Sequence, residues 1–277
     1  VDEGCLLIID EMQLHKNLNL GFYAIRSLIQ PILSSEKSRV LFMSGTPIDN
    51  LEQIKYLSMI ISSEKINSLE DIKKLSSSIT QLKKKLIFEY YFTNGNIIFD
   101  ENKLDAEFKK LPQEKNKSMQ DLELEKINNI VSITNKILNN GGRKVVIALS
   151  FIESIMRLNN FLKSHNPHII IGETNNLIRN KIIESFQQPN FNCNLIIANI
   201  NIISTGINLD DEDGGFPRTL IIAPNYQAIS TNQLFHRFSR TNTKSITQII
   251  TVYSSLQECN IINSVNEKSE ILESIKN

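Results

Sequence analysis

The chain has 277 residues, with 30 Lys and Arg set against 30 Asp and Glu for a formal net charge of zero; this excludes a global electrostatic pull toward nucleic acid or membrane and leaves such contacts to local patches. Hydrophobic residues make up 41% and charged residues 22%, enough apolar side chain for a core in one large domain or two small ones. Cys5, Cys193 and Cys259 are odd in number and far apart, which argues against a disulfide scaffold or zinc ribbon and for an intracellular, reducing compartment, cytoplasm or nucleus. No apolar run reaches the ~20 residues of a membrane span and no signal peptide is visible, so no membrane contact is expected.

In chain order, residues 5–10 and 39–44 are short runs of branched apolar residues. They predict buried parallel strands with polar groups at their tips. Between them Phe22, Ile25, Leu28, Ile29 and Ile32 recur at helical spacing, completing a strand, helix, strand unit. Residues 63–140 change character. The charge runs "LKKKL" and "FKKLPQEKNK" suit a solvated face better than a phosphate contact. "EYYFTNGNIIFD" predicts a hairpin turning at Asn94-Gly95, with Tyr90, Tyr91 and Phe92 as core in preference to base-stacking surface. "DLELEKINNIVSITNKILNN" predicts one amphipathic helix, ended by Gly141-Gly142. Strands then alternate with helices. The strands are "KVVIALS", "HIIIG", "CNLIIAN", "TLIIAP" and "ITQIITVYS". The helices are "FIESIMRLNNFLKSH", "NLIRNKIIESFQQ" and one around "STNQLFHRFSR". The alternation is that of an open α/β fold with a mostly parallel sheet.

Four stretches carry residue types suited to chemistry. Asp10 and Glu11 end the first strand, where α/β folds bind ligands. In nucleotide hydrolysis such a pair holds magnesium and orients water; an acid pair at a helix start is the alternative. "SGTP", with Ser44 and Thr46, follows the second strand and reads equally as a strand-to-helix turn. "STGINL" supplies Thr205, Asn208 and a close-approach glycine, Gly206, or else forms a surface turn. "QLFHRFSR" places Arg237 and Arg240 three apart, on one helical face. Such a pair clamps a phosphate or is simply solvated.

Taken in order, the four stretches resemble the superfamily 2 helicases and translocases, of DEAD/DEAH-like, chromatin-remodeller-like or large-DNA-virus type. "IIDEMQ" is similar to motif II, "SGTPIDN" to motif III, "STGINL" to motif V and "QLFHRFSR" to motif VI. "RKVVIALSFIESIMRLNNFL" is similar to motif IV, and Arg179 and Phe186 match positions on the helix before motif V. The resemblance covers roughly 1–62 and 141–255. It implies two RecA-like α/β lobes with mostly parallel sheets, the first truncated (1–62), an inserted helical and hairpin segment (63–140), the second lobe (141–262) and a tail (263–277). It implies ATP and Mg²⁺ as cofactors, DNA or RNA as partner, and hydrolysis between the lobes. Asp10 would hold Mg²⁺ through water, Glu11 would position the attacking water, and Arg237 and Arg240 would reach the γ-phosphate. Gln233 and Gly206 would contact ATP; Ser44, Thr46, Thr205 and Asn208 would couple it to nucleic acid. His15 is read as an ordinary loop residue.

Two departures stand out. His236 occupies a position where the family usually has Gly. None of the ten glycines is followed by Lys, so no phosphate-binding loop is present. The expectation is a helicase half whose P-loop comes from a second polypeptide. The competing expectation is a non-catalytic remnant that scaffolds a transcription or replication assembly.

Overall fold

The computed structural model describes residues 3–10, 12, 19–35, 37–44, 53, 86–113, 117–240, 242–261 and 263. Glu11, His15, Thr46 and most of "LKKKL" lie outside these residues. The chain divides into two compact units. The smaller contains the described residues 3–53, and the larger runs Gln81–Ser264.

In the smaller unit β1 (Leu6–Ile9) and β2 (Arg39–Phe42) pair in parallel, from Leu6 opposite Arg39 to Ile9 opposite Phe42. They are joined through α1 (Leu20–Leu33), whose first turn is capped by Asn19 accepting from the Phe22 amide at 2.9 Å. Phe22 and Ile29 are buried, whereas Leu28 is 56% exposed and falls off the predicted face. The strands also differ from the expectation of burial on both sides. Leu6, Ile8, Leu41 and Met43 are exposed, because alternation sends every second side chain to one face and no described element covers that face.

The larger unit is built on seven strands. The chain enters through β3 (Leu86–Phe92) and β4 (Ile97–Ile98), an antiparallel hairpin turning at Gly95 with φ +94°. The short α2 (Leu104–Phe108) follows, then α3 (Met119–Glu125) and α4 (Ile127–Asn140). Next come β5 (Lys144–Leu149), α5 (Ile152–Phe161), β6 (His168–Ile170), α6 (Asn176–Gln187), β7 (Leu195–Asn199) and α7 (Ile200–Ile203). Last are β8 (Arg218–Ile222), α8 (Ala228–Phe238) and β9 (Thr247–Tyr253). Their order across the sheet is β4-β3-β9-β8-β5-β7-β6. Every neighbouring pair is parallel except the hairpin. β5 and β8 are buried along their whole length, as expected for continuous Val, Ile and Leu runs covered by helices on both faces. On one face Ile182, Phe186, Ile203, Leu234 and Phe238 of α6, α7 and α8 form the core. On the other, Ile130, Ile133, Ile155 and Leu158 of α4 and α5 do so.

The sheet of the larger unit starts at Leu86, ahead of residue 141 where the second lobe is expected to begin. β3 pairs with β9 along its full length, and Tyr90, Phe92, Phe108 and Tyr253 share one aromatic cluster, with Phe108 and Tyr253 4.9 Å apart. An apolar β9 edge left unpaired would be a liability; the hairpin covers it. The single helix predicted over 121–140 is two helices, broken at Lys126. The break has a cause. Lys126 Nζ lies 2.5 Å from Glu258 Oε1 and donates to the Leu122 carbonyl, and both charged side chains are fully buried. Glu258 also accepts from the Ser254 and Ser255 amides. On the same helix, Glu123 accepts from the Ser150 and Phe151 amides at the start of α5. Burial pushes the Glu123 carboxyl above the usual range, and these amide bonds pull against that.

Removing one partner of a buried ion pair leaves the other charge uncompensated. Glu258→Ala should therefore lower unfolding free energy by about 3–5 kcal/mol. Lys126→Met combined with Glu258→Gln should cost less than Glu258→Ala alone. Urea unfolding of the three proteins checks both statements.

Candidate functional site

Asp10 is exposed at the tip of β1. Ser44 follows β2, so the two stand at adjacent strand tips. The tips are tied together: the Met43 amide donates to the Ile9 carbonyl at 2.8 Å and the Met12 amide to the Met43 carbonyl at 3.1 Å. Among the described residues no cluster of three or more His, Cys, Asp or Glu forms a metal site. Asp10 is the described carboxylate at this tip.

The remaining candidates meet in the larger unit. Arg237 lies in the last turn of α8, which ends at Phe238. Ser239 is extended, with φ −141° and ψ 106°, so Arg240 stands outside the helix. The two arginines therefore do not share a helical face. They are related by the segment they both grip. Arg237 Nε donates to the Ser204 carbonyl at 2.8 Å, and Arg240 donates to the Ile207 carbonyl at 3.1 Å. The Leu209 amide returns a bond to the Arg237 carbonyl at 3.0 Å. Further on, Thr243 Oγ1 donates to Asp210 Oδ2 at 2.6 Å, and the Lys244 amide to the Asp211 carbonyl at 2.7 Å. Residues 204–211 thus run beside 237–240 and 242–244 as a hydrogen-bonded ladder.

Within it, Gly206 has φ +69°. An added Cβ would meet nothing within 4 Å, so the backbone conformation, not space, requires glycine. Thr205 is half-buried, and Gln233 is buried on α8. Asn208 donates to Glu212 Oε1 at 2.5 Å, and its carbonyl receives Gln187 Nε2 at 2.8 Å. Arg240 is exposed and uses part of its fork on Ile207. The remaining donors have no partner among the described residues. That donor set suits an oxyanion such as a phosphate.

Sequence reasoning missed the groups beneath the ladder. Lys144 and Arg218 are register partners in β5 and β8 and are fully buried. Lys144 donates to the Phe186 and Gln188 carbonyls at 2.6 and 2.7 Å. Arg218 donates to the Leu209, Phe216 and Asp210 carbonyls and to Gln187 Oε1. Both cations lie over the Phe186 ring. Burial, with the Arg218 charge second, pushes the Lys144 ammonium down to about 8. Burial likewise lowers Arg218, opposed by Asp211, Asp210 and Asp213. The acidic stretch 210–213 is only partly solvated. Asp210 and Asp211 are buried, and Asp211 accepts from the Gly214 and Phe216 amides. The one available signal was a basic residue opening each of two apolar strands.

Residues 124–242 match the model of the helicase conserved C-terminal domain. That span holds β5 to β8 and α8 with the whole 204–211 segment, and omits the β3–β4 hairpin and β9. No curated protein gives a significant match. Among solved structures, S. cerevisiae Dbp5 bound to RNA and ADP BeF3 is similar at 14% identity, with a TM-score of 0.57 over 98% of this chain and 63% of that one. A single-residue variant of Dbp5 with the same ligands is similar at 12% identity and a TM-score of 0.56, over the same shares. The C-terminal part of the Fun30 ATPase domain is similar at 17% identity and a TM-score of 0.43, over 55% of this chain and 52% of that one. The chain spans 63% of the length of the Dbp5 chains. The mostly parallel sheet flanked by helices matches the fold of the RecA-like C-terminal lobe of helicases.

The buried lysine has a pH signature. Its folded value near 8 lies below the ordinary 10.5, so between these values the unfolded chain holds more protons. Stability then rises with pH through that window and is flat below it. Relative to Lys144→Met, the parent should gain at most about 1.4 kcal/mol per pH unit from about pH 8 to 10.5. Urea midpoints of the two proteins along that pH series measure it.

Proposed function

We propose that this chain is part of an ATP-dependent nucleic-acid helicase or translocase of superfamily 2, in which the larger unit responds to bound nucleotide. One observation carries the reading. Arg237 and Arg240 donate to the Ser204 and Ile207 carbonyls inside the segment that matches the helicase C-terminal domain.

On this reading Mg²⁺–ATP supplies the phosphoryl group whose transfer to water drives the cycle. The chain's own residues bind and orient. Asp10, at the β1 tip, offers a carboxylate for Mg²⁺ through water, and Glu11 beside it orients the attacking water. Arg240, exposed with open donors, offsets negative charge on the phosphate oxygens, assisted by Arg237. Gln233 and Gly206 border the nucleotide. Thr205 and Asn208, on the strand of the ladder that the arginines hold, carry the response to DNA or RNA, as do Ser44 and Thr46 in the smaller unit. The 277 residues contain no Gly-Lys phosphate loop. That loop comes from a second polypeptide or from further chain.

Residues 1–277 alone should therefore show no nucleic-acid-stimulated ATPase above background. In an assembly that supplies the loop, Arg240→Ala should slow hydrolysis by about 10³-fold or more. The melting temperature should stay close to the parent's, because Arg240 is exposed. Steady-state ATPase with and without nucleic acid is the measurement. Parent-like turnover by Arg240→Ala sinks the proposal. An assembly that binds nucleic acid without hydrolysing ATP favours the scaffold alternative.

A further inference from the structure

Asp210 and Thr243 are assigned no role by the motifs, yet both are buried, at 0% and 3% exposure. Asp210 Oδ2 accepts from the Thr243 hydroxyl at 2.6 Å. Its other carboxylate oxygen is buried without a partner among the described residues. A carboxylate removed from water with one hydroxyl donor is an unfavourable arrangement on its own terms. A pair of apolar side chains would pack the same site without that penalty. The hydroxyl, however, does a second thing: Thr243 Oγ1 accepts from the Arg240 amide at 2.7 Å. The Thr243 amide in turn donates to the Arg240 carbonyl at 3.3 Å. Arg240 stands past the end of α8 and has no helical bond to set its backbone. Its amide lies beyond the helix ladder, and Thr243 Oγ1 is the acceptor it finds.

We infer that Asp210 and Thr243 form a latch that positions Arg240. The carboxylate takes the hydroxyl hydrogen, which turns an oxygen lone pair of Thr243 toward the Arg240 amide. The backbone of Arg240 is then fixed, and its guanidinium is held against the Ile207 carbonyl with the rest of its donors available to an anion. Both are positioning residues acting through Arg240. Asp210 also ties the latch to the buried base, since its carbonyl accepts from Arg218 at 3.2 Å. The inference rests on the proposed reading of Arg240 as a phosphate-contacting arginine.

The test uses Thr243→Val, which keeps the shape and removes the hydroxyl, and Thr243→Ser, which restores it. Hydrogen exchange on the 277-residue chain comes first. The Arg240 amide should exchange at least about tenfold faster in Thr243→Val than in the parent or Thr243→Ser. Equal protection in all three overturns the latch whatever the activity. In the ATPase-competent assembly, Thr243→Val should lower kcat by about 10- to 100-fold with KM for ATP within about twofold of the parent. Thr243→Ser should recover most of that loss. A purely structural role would lower the melting temperature and the active fraction without separating Val from Ser in kcat per folded molecule. Unchanged kcat in Thr243→Val alongside a strongly slowed Arg240→Ala overturns the latch and leaves the proposed function standing. Unchanged kcat in Arg240→Ala overturns the proposed function itself, and the exchange result still decides whether the latch exists.

Discussion

Two cations side by side set the terms for the larger unit. Lys144 and Arg218 open neighbouring strands in register and are buried there, and among the described residues neither forms an ion pair. An unpaired buried charge is tolerated only if oxygen atoms surround it. The oxygens come from two places that have carbonyls to spare. One is the end of α6, where Phe186 and Gln188 lack helical donors. The other is the segment after β7, where Leu209, Asp210 and Phe216 turn inward. Each cation thereby satisfies backbone carbonyls, Gln188 being exposed and shared with the Asn190 amide. Gln187 joins the two sources, accepting from Arg218 and donating to the Asn208 carbonyl. Residues 204–216 are therefore not a free surface loop. They are drawn onto the N-terminal ends of the central strands β5 and β8, beside the exit of α8, and the ladder with 237–240 and 242–244 follows from that placement.

The strands and most helices of the larger unit were legible because their signal is local. A run such as "KVVIAL" is buried on both faces wherever it is put, and it reads as a strand without knowledge of its neighbours. What was misread depends on distant partners. Lys126 sits in a helical pattern as an ordinary surface lysine would; only the pairing with Glu258, far along the chain, shows why the helix breaks there. The β3 strand looked like part of an insert because nothing near it announces the β9 edge that it covers. In the smaller unit the same continuous-run rule overreached: β1 and β2 have the composition of doubly buried strands but expose alternate apolar residues.

The site was half legible for a related reason. The resemblance gave Gln233, Gly206, Arg237 and Arg240 to ATP and Thr205 and Asn208 to coupling with nucleic acid, and the structure brings the 204–209 and 237–240 segments together. The geometry offered for the arginines was wrong. A three-residue spacing suggests one helical face, yet Ser239 is extended and Arg240 lies beyond the helix. The contacts that do relate them are to backbone carbonyls, which every residue has and no sequence pattern marks. The burial of the acidic loop has the same kind of cause. Asp211 is buried because the loop doubles back, through Gly214 and Gly215 at positive φ, to bring its own amides to the carboxylate.

The ladder also constrains how the two segments can move. An arginine within a helix shifts only as the helix shifts, but Arg240 is carried by individual hydrogen bonds to Ile207 and Thr243. Arg237 bridges both regimes, with its backbone in α8 and its side chain on Ser204. A displacement of 204–207 must therefore break or drag the arginine contacts, and a displacement of the arginines must do the same to 204–207. Coupling of this kind is reciprocal by necessity: whatever stabilises one arrangement of the arginines stabilises the matching arrangement of Thr205, Gly206 and Asn208 by the same free energy. On the base formed by Lys144 and Arg218, which holds Leu209 and Asp210 still, that exchange is confined to the few residues between Ser204 and Asn208. On the proposed function, coupling falls where the candidate phosphate-facing and nucleic-acid-facing residues adjoin.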